Sequence, residues 1–259
     1  MRKIMNKQLT NYMMIALALV LLGSVALHAQ DSTKVTAPNQ PQPLSPEEFQ
    51  KVTQSTNPQD WMKIQAMTDD QVKAVMNSKV LKPRLGAVIE EWQALSLNGL
   101  TYITDEQAKL LAKNEVNLSL DGLKSLTDEQ AKSFSTYKGK YMPQAYQNDD
   151  TYQRTFGMRA GGVLSLNGIT TLSDEQAKWF GKARCFELDL NSLTSLNDLQ
   201  AKSFGYSRGA ILQINAIRTL TDKQAKALAQ FQGKIACVAL DKASKDLFLK
   251  YGGSLLGKE

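Results

Sequence analysis

The apolar residues of the second half of the chain fall into one recurring phrase. Leu95 and Leu97 flank Ser96, Leu100 and Ile103 follow at wider spacing, and Ala108 and Leu111 come after a polar break. The alternation in Leu95-Ser96-Leu97 predicts a short strand with one buried side. Asn98-Gly99 predicts a turn, where glycine tolerates whatever backbone angles are needed. Thr104-Asp105-Glu106-Gln107 predicts a helix start, the threonine hydroxyl serving the N3 amide while the glutamine reaches back. Ala108 and Leu111, three apart, share the face turned toward the strand.

The phrase returns as LSLDGLKSLTDEQAKSF at 118, LSLNGITTLSDEQAKWF at 164, LDLNSLTSLNDLQAKSF at 188 and LQINAIRTLTDKQAKAL at 212. Successive starts lie 23, 46, 24 and 24 residues apart. Upstream, Ile64, Met67 and the run 68–73 match its second half. Downstream, Val238-Ala239-Leu240-Asp241 is expected to open another unit. The capping box recurs at Thr68/Gln71, Thr127/Gln130, Ser173/Gln176, Asn197/Gln200 and Thr221/Gln224, each cap worth about 1 kcal/mol. Such a period predicts an α/β fold, a right-handed solenoid of 23–24-residue strand-turn-helix repeats. A parallel sheet would form one face and short helices the other. The doubled interval leaves residues 137–163 as an irregular repeat or an insertion.

The L-x-L-N-G-L-x-x-L-T-D-E-Q-A pattern resembles bacterial leucine-rich repeats with a helical convex side, over residues 95–259 with a weak start near Trp61. The resemblance implies a binding surface on the concave sheet and names no ligand. The usual spacing puts an asparagine three residues after the second strand leucine. Here Asn98, Asp121, Asn167, Asn191, Asn215 and Asp241 follow that leucine directly, so an amide ladder between coils is expected without the usual geometry. The concave face is read by Ser96, Ser119, Ser165, Asp189, Gln213 and Ala239, a small, polar row expected to be hydrated. On the convex face Asp105/Lys109, Asp128/Lys132, Asp174/Lys178, Asp198/Lys202 and Asp222/Lys226 stand at i,i+4. Each pair is worth about 0.3 kcal/mol, and the aspartates are expected to cancel the field of the lysine row.

The amino-terminal part reads differently. Three basic residues precede an unbroken apolar run from Met13 to Leu22, followed by Gly23-Ser24-Val25-Ala26-Leu27-His28-Ala29. This is the layout of a secretory signal over residues 1–29, cut after Ala29 or Ala26. Its apolar stretch falls short of the roughly 20 residues that a spanning helix needs. Residues 30–60 hold five of the seven prolines and are expected to be a disordered tether, with Ser45-Pro46-Glu47-Glu48 able to start a short helix. Residues 61–94 would form a helical cap with a partial repeat.

Charge and composition then narrow the function classes. The net charge of +6 includes Arg2, Lys3 and Lys7, and losing these leaves +3, which speaks against a nucleic-acid partner. His28, the single histidine, leaves with them, and Ser-His-Asp, Cys-His and imidazole-zinc chemistry leave with it. No metal, cofactor or catalytic residue is expected. Cys185 and Cys237 are expected to stand about 10 Å apart, two coils at ~4.8 Å each, beyond disulfide reach.

The doubled interval carries half of the eight tyrosines: Tyr137, Tyr141, Tyr146 and Tyr152, joined by Phe156, Asp149, Asp150, Arg154 and Arg159. Tyrosines in a polar loop make contact surface at small entropic cost; the other reading is that some rings fill the interior of a degenerate coil. The binding residues read from the sequence are therefore these aromatic side chains together with Ser96, Ser119, Ser165, Asp189 and Gln213. The first functional expectation is an exported, non-catalytic scaffold for protein–protein interaction, periplasmic or extracellular. The second is a carbohydrate-binding or structural envelope protein using the tyrosine-rich 137–159 segment. A Ser/Lys-type hydrolase is the third. The partner would be another protein or an envelope or extracellular glycan, with membrane contact only through the uncleaved signal.

Overall fold

The computed structural model describes residues 40–55, 57–77, 94–139 and 161–256. Helices α1 (Pro46–Gln54), α2 (Pro58–Trp61) and α3 (Asp69–Asn77) come first. Strands and helices then alternate: β1 (Ala94–Ser96), α4 (Asp105–Leu111), β2 (Asn117–Ser119), α5 (Asp128–Phe134), β3 (Val163–Ser165) and α6 (Asp174–Phe180). The series continues with β4 (Glu187–Asp189), α7 (Asp198–Gly205), β5 (Ile211–Gln213), α8 (Asp222–Leu228), β6 (Lys234–Ala236) and α9 (Lys242–Lys250). The six strands form one parallel sheet in chain order, and from α3 to α9 each helix packs on the next.

Local chemistry sets these elements. The predicted capping boxes form at Thr104, Thr127, Ser173, Asn197 and Thr221, and at Ser45 ahead of α1; Thr68 and Gln71 make the same reciprocal bonds. Leu95, Leu118, Leu164, Leu188, Leu212 and Ile235 are strand neighbours turned into the core. Ala108, Ala131, Ala177, Ala201 and Ala225 are fully buried beneath the helices, where a larger side chain would hold helix and sheet apart.

Three ladders of polar side chains tie each unit to the one before. At the strand ends, Asn98 Oδ1 accepts the Asp121 amide at 2.9 Å, Asp121 Oδ1 that of Asn167 at 2.8 Å, and Asn167 Oδ1 that of Asn191 at 2.8 Å. At the helix starts the capping glutamines do a second job. Their Nε2 groups donate to a backbone carbonyl one unit back: Gln107 to Met67 (2.7 Å), Gln130 to Ile103 (2.9 Å), Gln176 to Leu126 (2.7 Å), Gln200 to Leu172 and Gln224 to Leu196 (both 2.8 Å). The caps themselves donate to the first aspartate of the previous helix, as in Thr127 to Asp105 (2.7 Å), Ser173 to Asp128 (2.8 Å) and Asn197 to Asp174 (2.6 Å). Each bond contributes on the order of 1 kcal/mol.

Four expectations need correction. First, the last unit is displaced by three residues: Ile235 pairs with Leu212, so Cys237 takes the second leucine position and Leu240 the turn position. The Asn215 side chain therefore meets the Val238 amide at 3.1 Å, Asp241 caps α9 instead of joining the ladder, and Ala236 replaces Ala239 in the strand row. Second, part of the expected tether is ordered. α1 buries Phe49 and Val52, three apart on one face, against the core. Third, the turn glycines Gly99, Gly122 and Gly168 do not have positive φ. They serve close approach: a Cβ at Gly122 would drive into the carbonyl oxygens of Leu100 and Asn98 in the preceding unit.

Fourth, the ion pairs of the helix surface are i,i+3. Lys109 meets Glu106 at 2.5 Å, Lys132 meets Glu129 at 3.1 Å and Lys178 meets Glu175 at 3.1 Å, while Asp105, Asp128 and Asp174 accept cap donors. Of the two readings of the doubled interval, direct pairing of β2 with β3, Leu118 with Leu164, favours the insertion. On either side of this interval the Gly162 amide is bonded to Lys138 O at 2.6 Å. Gly139 has φ +54, a conformation that glycine adopts without Cβ strain.

Candidate functional site

The strand row read from the sequence exists in register. Ser96, Ser119, Ser165, Asp189 and Gln213 are successive partners, with Ala236 after them. Ser96, Ser119, Asp189 and Gln213 are half-buried, so the row is partly open. Ser165 is buried. The Ser119 hydroxyl donates to Asn98 Oδ1 at 2.6 Å and that of Ser165 to Asp121 Oδ1 at 2.6 Å. Both hydroxyls thus reinforce the ladder, and their acceptors are an amide and a carboxylate, not the amine that Ser/Lys chemistry requires.

A second row on the same face escaped the sequence reading. Successive strand residues alternate sides, so the residue before the first leucine points with the one after it. Val163, Glu187, Ile211 and Lys234 are neighbours there. The signal for this row is the same period-two alternation, since residues two apart on a strand share a side. Glu187 is the consequential omission. It is 7% exposed, lies on the same side of β4 as Asp189, and accepts a hydrogen bond from Gln213 Nε2. Gln213 Oε1 in turn accepts from Asn191 and Asn215, each at 3.3 Å.

Two carboxyl groups therefore share a partly dry strand surface, and Asp189 Oδ1 is buried without a hydrogen-bond partner among the described residues. Burial, reinforced by the charges of Glu187 and Asp121, pushes Asp189 up to about 8, and burial raises Glu187 as well. Adjacent carboxylates cannot both ionise cheaply in low dielectric, so ionisation of either one opposes that of the other.

The aromatic candidates divide. Tyr137 is 0% exposed, so its proposed role in binding is overturned. Its hydroxyl lies 2.7 Å from Val116 O and 3.1 Å from Val163 O, fastening β2 to β3 at the base of the inserted segment, and burial raises its pKa. Tyr141, Tyr146, Tyr152 and Phe156 lie outside the described residues. Cys185 and Cys237 are free and buried. Burial pushes their thiols up to about 12 and about 11, so neither supplies thiolate at neutral pH. Among the described residues no group of three or more His, Cys, Asp or Glu side chains is placed to hold a metal ion, and no helix is long and apolar enough to cross a membrane.

No family model matches the chain, and no curated protein matches it. The class that the geometry defines is a repeat-built α/β protein, with a six-stranded parallel sheet alternating with helices and polar ladders between its units.

Proposed function

We propose that the protein is an exported, non-catalytic scaffold of the leucine-rich-repeat kind, right-handed in its coiling, that holds another protein in the periplasm or outside the cell. The observation that carries this reading is the commitment of polar side chains to the three ladders. Serine, asparagine and glutamine groups that could line a reactive centre instead bond one unit to the next, as a rigid platform requires. The inserted segment is the natural contact, because both its ends are held at the Lys138–Gly162 bond and it interrupts no strand pairing. Tyr141, Tyr146 and Tyr152 supply its large amphipathic side chains.

The test uses the mature chain as bait in envelope extract, with cross-linking and competition by untagged protein to define a saturable partner. Replacing Tyr141, Tyr146 and Tyr152 together by serine is expected to abolish capture and leave the melting temperature within a few degrees. Capture at wild-type strength by that variant would refute the contact. Amino-terminal sequencing of the exported protein is expected to start at Gln30 or Leu27; intact Met1 in a membrane fraction would refute export.

A further inference from the structure

The outer side of the helices departs from its own repeat in two adjacent units. In α3 to α6 the second helical residue is acidic and pairs with the lysine three places on: Asp70–Lys73 at 3.1 Å, Glu106–Lys109 at 2.5 Å, Glu129–Lys132 at 3.1 Å and Glu175–Lys178 at 3.1 Å. In α7 that position is Leu199 and in α8 it is Lys223. Lys202 and Lys226 keep their places in the row without the carboxylate that neutralises their counterparts, and Lys223 adds a third cation. Among the described residues none of the three forms an ion pair. The aspartates that start these helices do not line the space between them, and Asp222 accepts the Tyr251 hydroxyl at 2.6 Å.

Between α7 and α8 lies a groove of about 290 Å³, lined by Lys202, Lys223, Lys226, Gln230, Ala227 and Tyr206. The Tyr206 side chain is an open platform, 67% exposed. We propose that this groove binds an acidic glycan, the three ammonium groups holding its anionic substituents while Tyr206 packs against a sugar face. Charge complementarity selects an anion. The groove's apolar content, one ring and one methyl group, offers no pocket for the anchoring side chains of a docked peptide and no strand edge for one to extend. A flat ring edged by hydrogen-bond donors suits a ligand with a polar perimeter and an apolar face. The proposal rests on the scaffold reading only in placing the protein outside the cytoplasm, where it would meet such a polymer.

Lysine acts as a point charge and does not demand one anion geometry, so polygalacturonate serves as the probe, with dextran and polyglutamate as comparisons, titrated against the mature full chain. Saturable binding of polygalacturonate, weakening as salt rises, and no binding of dextran are expected. The L199E/K223E variant restores the pairing already present in four other units, so it should keep the wild-type melting curve while losing at least tenfold in affinity. Tyr206→Ala is expected to lose several-fold toward polygalacturonate and nothing toward polyglutamate. Unchanged affinity in L199E/K223E would overturn the proposal. So would polyglutamate binding as well as polygalacturonate with no effect of Tyr206, since charge alone would then explain both. If wild-type protein binds polygalacturonate in this manner but captures no envelope partner, the scaffold reading fails and the groove stands. Capture of a partner without polygalacturonate binding overturns the groove and leaves the scaffold standing.

Discussion

Asp189→Asn should make the protein more stable at pH 8 and leave it nearly unchanged at pH 4. In the unfolded chain Asp189 releases its proton near pH 4, whereas in the folded protein burial and the facing carboxyls hold it to about 8. Below pH 4 both states are protonated and the group has no effect. Between pH 4 and 8 the unfolded chain has lost a proton that the folded protein keeps, so stability falls steadily as pH rises, and above 8 the loss is complete. A shift of that size corresponds to about 5 kcal/mol. This is an upper bound, because Asp189 is only partly buried and retains water, which leaves a few kcal/mol. Asparagine imitates the protonated carboxyl: it can donate to Glu187 and carries no charge to desolvate. Urea unfolding of wild type and variant at pH 4.5, 6, 7 and 8.5 measures the difference, and pH effects of groups that do not interact with Asp189 cancel in it. The midpoints should diverge progressively above pH 5, the variant being the more stable. Parallel curves at all pH values would show that burial and the facing carboxyls do not raise Asp189.

Three further outcomes follow from the packing. Ala177→Leu should destabilise by about 1–3 kcal/mol through overpacking at a fully buried position, and Lys178→Leu should not; similar melting curves would mean that the helix phase is wrong. Both thiols should be silent to a maleimide in native protein and both labelled after unfolding without reductant; a mass two units low with no label would show that they bridge. Tyr137→Phe should cost about 1 kcal/mol, measured by urea unfolding, because it removes the hydrogen bond of a buried hydroxyl that lies between Val116 O and Val163 O, and a neutral result would remove the hydroxyl as the fastening between β2 and β3.

Strand, turn and helix start were legible along the chain because each is a local device: alternation of Leu95-Ser96-Leu97, a capping box at Thr104/Gln107, buried alanine at the helix base. These depend on neighbours within four residues, and repetition multiplied the signal. What only the tertiary structure decided depends on the next unit. The Gln107 amide was legible as a cap but not as a donor to Met67 O; turn glycines were legible as turns but not as sites of contact with an earlier carbonyl. Glu187 looked like any strand-flanking residue until β5 brought Gln213 beside it and Asp189 lost part of its water. Tyr137 carried the composition of a contact residue, yet pairing of β2 with β3 turned its ring inward. The lysines of α7 and α8 matched their row by spacing, and only the pairing geometry of the other helices showed which carboxylates were missing. Local propensity acts within a turn of chain, whereas burial, partner choice and charge balance are properties of the space between units, which one unit read alone does not contain.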